Sequence, residues 1–420
     1  MNRGLLRPFA VRDFRLLFSG ETISVVGDQF HFVALAWLTL QLTGSGLALG
    51  SVLMVAAIPR GVFMLLGGAL SDRFSPRSLM LGSNAIRALL VGVIAALVLT
   101  GRAELWHLFV LAGVFGVVDA FFYPAIGAIL PMLVDEETLP PANAVLQGSQ
   151  QLASLIGPAA AGVLVALVNT GPAFVIDAVS FAIAGVALIF VVGGRRSPAT
   201  GGSREAKLAL LPTIGAGLGY AWRDPAIRSL IVLSAAFNFA LTGPITVGIP
   251  YLADQRFDGG SAAFGIILSG FGAGALAGAM VAGSVPRVPR LGAVILSIGV
   301  GMGVAVSFIG LAPNVPLAFV LLGVIGLGAG FLNVHVVSWL QARTAEDMRG
   351  RVMSLVMIGS AGLIPVSYAV SGAVVDFGAV ALMFAVAGAI ITGASLLAMA
   401  WGIGSLLNQA PSAESVEGAA

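Results

Sequence analysis

The polar residues of this chain gather in short clusters, and the stretches between them are apolar for about 20 residues or more, the length a helix needs to cross the hydrocarbon of a bilayer. Broken at those clusters, the sequence predicts helices near 15–41, 46–71, 78–100, 105–132, 142–168 and 171–193, then near 228–252, 261–284, 290–311, 316–341, 350–374 and 379–405. Lipid offers no hydrogen bonds, so backbone at that depth must satisfy itself, which helices do internally. The loops are short except for one polar connection. The expected organisation is a six-helix bundle at 1–193, a linker at 194–227, a second six-helix bundle at 228–405 and a tail at 406–420.

Composition agrees with a lipid-facing exterior. Of 420 residues 58% are hydrophobic and 10% charged, where a soluble domain carries about 25% charged. The lipid bilayer is therefore the main expected partner. The net charge of +2 conceals an uneven distribution. With alternating loops, Arg3, Arg7, Arg12, Arg15, Arg73, Arg77, the basic residues between 195 and 228, Arg287, Arg290, Arg343, Arg349 and Arg351 share one side. Only Arg102 and Arg256 lie on the other, and the positive-inside rule then puts both termini in the cytoplasm. The basic segment Met1 to Arg15 is followed by an apolar run too long for a signal-peptide core, so it reads as leading into a retained helix. No cysteine is present, which excludes disulfides, thiol catalysis and cysteine-held metal or iron–sulfur sites.

The two halves resemble each other at a shift of about 210 residues, as parallel transporter repeats do. Asp28 falls on Asn238, Gly68 on Gly278, Pro76-Arg77 on Pro286-Arg287, Gly113 on Gly323, Gly116 on Gly326 and Phe121 on Phe331. Such repeats place a substrate site between the halves, near the midplane.

The stretch Gly68-Ala-Leu-Ser-Asp72-Arg73-Phe-Ser-Pro-Arg77 resembles the signature between helices 2 and 3 of the major facilitator superfamily. It departs from that signature in Ser75, where the family usually has glycine, and in Ser78, which follows a single Arg77. Arg12-Asp13-Phe14-Arg15, Ser24-Val-Val-Gly27-Asp28, Thr43-Gly44-Ser45, Ile176-Asp177-Ala-Val-Ser180-Phe181 and Arg349-Gly350-Arg351-Val352 are similar to the macrolide-efflux and enterobactin-exporter branch of drug:proton antiporters. Gly157-Pro158 with Gly162 is similar to the glycine-proline motif of the antiporters, without its complete glycine set. The resemblance implies an all-α membrane protein with the major facilitator fold: twelve transmembrane helices in two pseudo-symmetric six-helix bundles. It also implies that helices 1, 4, 7 and 10 line a central cavity, and that Gly68, Asp72, Arg73 and Arg77 form a cytoplasmic gate whose carboxylate holds the halves together in one state and releases them in the other.

An ionisable group in mid-membrane is costly unless paired or wetted, so each calls for a reason. Asp28 and Asp119 sit near the centres of helices 1 and 4; Asn238 lies in helix 7, and Asn333 and His335 in helix 10. With Tyr123 these are the expected cavity residues. Asp28 is the expected proton-coupling group. His31 one turn on and Glu21 two turns back share its helix face, and Asp119 either joins that relay or serves as counter-ion to Arg60 or Arg87. Spacing does not choose which acid each arginine meets. Arg77 has Asp135 and Glu136 as expected partners. Asp177 reads as a packing residue of helix 6.

Missing motifs narrow the function. There is no Gly-x-x-x-x-Gly-Lys-Ser/Thr phosphate loop to use ATP and no His-Glu-x-x-His metal motif. A second catalytic aspartate motif to join Gly27-Asp28 as an aspartyl protease is also missing. The expectation is a transporter rather than an enzyme, without cofactor, metal or nucleic-acid partner, functional as a monomer in the inner membrane of a bacterium. By resemblance it exports amphipathic or lipophilic small molecules, such as macrolide-like drugs or siderophores, against protons. A lysophospholipid flippase, an uptake facilitator, and a non-transporting receptor or scaffold are the alternatives on the same scaffold.

Overall fold

The computed structural model describes residues 4–71, 74–193, 219–285, 288–345 and 348–408, the side chains at 65–71, 350, 351, 354, 358, 360 and 361 excepted. The first six helices are α1 (Arg12–Thr43), α2 (Gly46–Ser71), α3 (Pro76–Leu99), α4 (Leu105–Ile129), α5 (Leu139–Leu167) and α6 (Thr170–Phe190). They are followed by α7 (Pro225–Gly243), α8 (Ile249–Gln255), α9 (Gly260–Ser284), α10 (Leu291–Ile309) and α11 (Val315–Arg343). The last four are α12 (Arg349–Ala361), α13 (Ile364–Asp376), α14 (Val380–Ala400) and α15 (Ile403–Asn408). Eleven helical stretches among the described residues are long and apolar enough to cross a bilayer.

The remaining predicted span, helix 11 at 350–374, is the broken pair α12 and α13. Pro365, at the first turn of α13, has no N–H to continue the ladder, and its ring clashes with the preceding turn. Predicted helix 7 is likewise interrupted: the segment Pro244–Gly248 between α7 and α8 is a π-turn. There the buried Ser367 of α13 enters the ladder of α7. Its hydroxyl accepts from Gly243 N at 2.8 Å and donates to Phe239 O at 2.5 Å, bridging the rung those two groups would otherwise share. A side chain inserted between i and i−4 is one of the few physical causes of a sharp bend. At the far end, Gly402 with φ +70° separates α14 from α15, a conformation glycine adopts without steric cost.

Two compact units emerge, Met1–Gly201 with Ile249–Ser269 and Gly202–Gly248 with Gly270–Ala420. In the first, α1 packs along α6 and α5, α2 along α4, and α3 along both α6 and α4. In the second, α10 packs along α14 and α11, and α7 along α12, α13 and α14.

Close approach in both units depends on glycines facing backbone. A Cβ on Gly116 of α4 would run into the Ala56 carbonyl of α2; one on Gly326 of α11 would run into the Phe271 carbonyl of α9. Gly116 and Gly326 are a repeat pair, so the same device recurs in each unit. Small residues at such crossings replace the hydrophobic drive, which lipid does not supply.

Candidate functional site: a charge cluster inside the first unit

The Gly116–Ala56 crossing decides where the charges meet. One turn beyond it on α2 stands Arg60; one and two turns beyond it on α4 stand Asp119 and Tyr123. Arg60 Nη1 lies 3.9 Å from Asp119 Oδ2, and the Arg60 guanidinium lies over the Tyr123 ring at 4.7 Å. From α3, Arg87 Nη2 donates to the other Asp119 oxygen. Asp119 thus bridges two guanidiniums, of which Arg87 is nearly sealed, its side chain 3% exposed, and Arg60 stays 43% exposed.

Phe115, Asp119 and Phe122 lie at i, i+4 and i+7, one face of α4, and that face encloses Arg87. Its guanidinium centre is 4.3 Å from the Phe122 ring, 5.3 Å from Phe115 and 5.4 Å from Phe181 of α6. An aromatic cage contributes about 2 kcal/mol to a desolvated cation, but the burial is compensated mainly by Asp119.

On α1, Glu21, Asp28 and His31 share one face, as their spacing requires. His31 is stacked on Phe115 at 4.8 Å, and its Nδ1 is 3.0 Å from Asp177 Oδ2 of α6. That separation is an ion-pair distance without hydrogen-bond alignment. The contact exists because Gly27 faces Ser180 and Asp177, where a Cβ would fall 2.8 Å from the Asp177 carboxylate. The sequence reads Asp177 as a packing residue, and the structure sets its carboxylate against His31 in the cluster. The Asp-x-x-Ser spacing gave no signal of this, since Ser180 Oγ donates to the Asp177 backbone carbonyl at 2.8 Å and the carboxylate's partner is on another helix. Asp28 is half-buried and has no hydrogen bond or ion pair among the described residues. It lies within electrostatic range of Asp177, Arg87, Asp119 and His31. Four carboxyls, Glu21, Asp28, Asp119 and Asp177, therefore face two guanidiniums and one imidazole.

The remaining predicted residues lie elsewhere. The Asn238 amide donates to Ser234 O in its own helix at 2.9 Å, and Asn333 is exposed on α11. His335 is buried, stacked on Phe331 at 4.4 Å, with Nε2 3.1 Å from Val285 O just past α9. Gly157 faces the Gln29 side chain of α1, while Gly162 and Pro158 face the backbone of Ser261 and Gly265. Ala159 N donates to Ser269 Oγ at 3.0 Å. Arg77 donates at 2.8 Å to each of the Leu188 and Ile189 carbonyls, the C-terminal end of α6 where a cation is favoured. Gly68 lies in α2 with its surroundings undescribed, and Asp72 and Arg73 lie outside the described residues.

A transmembrane helical fold with a glycine-spaced internal repeat narrows the family, and a direct match decides it: the family model described as Major Facilitator Superfamily matches residues 17–364. The chain belongs to the Major Facilitator Superfamily. Macrolide efflux protein A of Streptococcus pyogenes is 22% identical over 346 residues, covering 81% of this transporter and 84% of that protein. Multidrug efflux pump Tap of Mycolicibacterium fortuitum is 27% identical over 348 residues, covering 81% and 83%. Among solved structures, a POT family transporter in complex with thioalcohol conjugated peptide aligns with a TM-score of 0.75 at 15% identity, over 95% of this chain and 97% of that one. That last likeness concerns the fold alone. The protein is a multi-pass membrane transporter with the major facilitator fold, and it is not an enzyme.

Proposed function

We propose that this transporter exports amphipathic or lipophilic small molecules, macrolide-like drugs or siderophores among them, in exchange for protons, by rocking one six-helix half (1–193) against the other (228–405). Export and the macrolide-like cargo are carried over from the names of its efflux relatives, and the siderophore from the sequence resemblance. Proton coupling rests on one observation, the unpaired Asp28 within a cluster where carboxyls outnumber fixed cations. Such a group is costly when ionised and stable when protonated, so it takes up a proton when the site is closed to water and releases it when the site is wetted. His31, Glu21 and Asp119 complete the coupling set. Arg60 over Tyr123, half-exposed beside the cluster, would meet the cargo. The gate Gly68, Asp72, Arg73 and Arg77 and the helix-5 motif Gly157, Pro158 and Gly162 would govern the rocking. The protein acts as a monomer in a bacterial inner membrane with both termini in the cytoplasm.

Asp28→Asn is the discriminating variant, because Asp119 is already committed to two arginines. In vesicles it should abolish substrate-induced proton movement while leaving folding intact; coupling at the wild-type level would overturn the reading. Accumulation assays in an efflux-deficient host test direction: the wild type lowers cellular macrolide, and a rise instead would make it an uptake facilitator.

A further inference from the structure

Asn84 of α3 is fully buried, and neither its amide nitrogen nor its amide oxygen has a hydrogen-bond partner among the described residues. One turn along the same helix face, Arg87 Nε is buried and unpartnered as well, although its Nη2 is bound to Asp119. Each such orphan costs about 1–3 kcal/mol if it stays dry. Both residues lie against one stretch of α6. The Asn84 Cβ lies 3.7 Å from where a Cβ on Gly185 would be, and Phe181, one turn earlier, lies over the Arg87 guanidinium. From the other side α1 reaches the same stretch, with Gly20 against Ala184. The next residue, Glu21, is 5% exposed and feels the charges of Arg87 and Asp28.

We infer that ordered water occupies a pocket between α1, α3 and α6, held by Asn84 and Arg87 Nε and touching the Glu21 carboxyl. The mix of valences selects the occupant. A metal cation would leave the Asn84 and Arg87 N–H groups unsatisfied, and an anion would be repelled by Glu21. Water alone both donates and accepts, and buried water typically makes about three hydrogen bonds. If the exporter reading holds, this pocket is the inner leg of the proton route. It gives Glu21 a hydrated path beside the Arg87–Asp119 pair toward Asp28, and makes Asn84 a positioning residue. The charged groups that reach Glu21 are Arg87 on α3 and Asp28 on its own helix, with Asp119 of α4 bound to Arg87; α5 carries no ionisable residue.

Hydroxyl-radical footprinting of the purified transporter by X-ray radiolysis tests the water directly. Met80, one turn before Asn84 on α3, and Phe181 are both fully buried, yet should be oxidised by radicals formed in place, with Phe264, equally buried elsewhere, as the unlabelled control. Asn84→Leu should lower that labelling and the melting temperature, because it displaces the water and strands Arg87 Nε and Glu21. No labelling at Met80 and Phe181 in the wild type, or an Asn84→Leu variant that melts at or above the wild type, would overturn the pocket. In vesicles, Asn84→Leu should slow proton movement about tenfold while Asn84→Ser, which leaves room for one more water, stays within about twofold. Equal rates in all three would overturn the route. The footprinting and melting readouts need no substrate, so their failure leaves the exporter reading standing, and wild-type coupling retained in Asp28→Asn, which overturns that reading, leaves the pocket standing.

Discussion

The two units solve the same packing problem and then part ways in chemistry. Gly116 lets α4 lie on Ala56, and its repeat mate Gly326 lets α11 lie on Phe271. Around the first crossing stand Arg60, Arg87, Asp119, Tyr123 and, from α1 and α6, Asp28, His31 and Asp177. At the matching shift of about 210 residues the second unit has Gly270, Ser297, Ala329, Asn333, Asn238, Leu241 and Ala387. The repeat preserved the crossing and not the charges. At the crossing the second unit relies on backbone proximity: Gly274 and Gly278 face the carbonyls of Gly323 and Leu327, and Ser367 repairs the bend of α7; its ion pair, Arg343 with Asp224 at 2.7 Å, stands elsewhere, joining the C-terminal end of α11 to the start of α7. Energetics follow from that division. Around its crossing the first unit is held by charges that are strong together and costly when halved; around the matching crossing the second is held by close backbone contact alone.

Asp119→Asn should produce the largest effect. It leaves Arg87 buried without a counter-charge, a loss of about 3–5 kcal/mol, visible as a large drop in melting temperature of the purified protein. Replacing both partners, Arg87→Met with Asp119→Leu, should restore most of that loss. A single variant as stable as the wild type would show that the pair is not structural. Next come the matched substitutions Gly116→Ala and Gly326→Ala. Each pushes a methyl against a carbonyl that cannot give way, at about 2–3 kcal/mol for overpacking. They sharpen the contrast, because only Gly116→Ala also separates Arg60 from Asp119 and should depress transport beyond its effect on stability. Equal transport loss in both would erase the functional asymmetry. Ser367→Ala should be the mildest, about 1–2 kcal/mol for two stranded backbone groups, read from the melting temperature. No change would mean that water replaces the hydroxyl.

Much of the architecture was legible before any coordinates, because each span carries its own evidence. Apolar runs marked the helices, and the polar clusters between them marked their ends to within a few residues. The interruptions were not legible: Pro244 and Pro365 are visible in the sequence, but a proline in an apolar run can bend a helix or end it, and the outcome depends on what repairs the ladder, here Ser367. In the site, Glu21, Asp28 and His31 could be read as one face, since they share one helix. The bonds of Asp119 could not, since Arg60 and Arg87 lie 59 and 32 residues away in the chain and helix spacing says nothing about partners on other helices. Asn84 gave no sign at all, because a single amide in a membrane span is ordinary until its neighbours are known to offer it no hydrogen bond.

The sequence by itself determined that this chain crosses a bilayer many times as helices, repeats itself once, and carries rare ionisable groups where lipid would not tolerate them. Those properties are local: they follow from the length and polarity of each segment and from transfer out of water. Only the tertiary structure decided that Asp119 is shared by two arginines while Asp28 has no ion pair among the described residues, and that Asp177 meets His31. Which acid is neutralised depends on distances of 3 to 4 Å between different helices, and those are fixed by glycine crossings that bring backbones together.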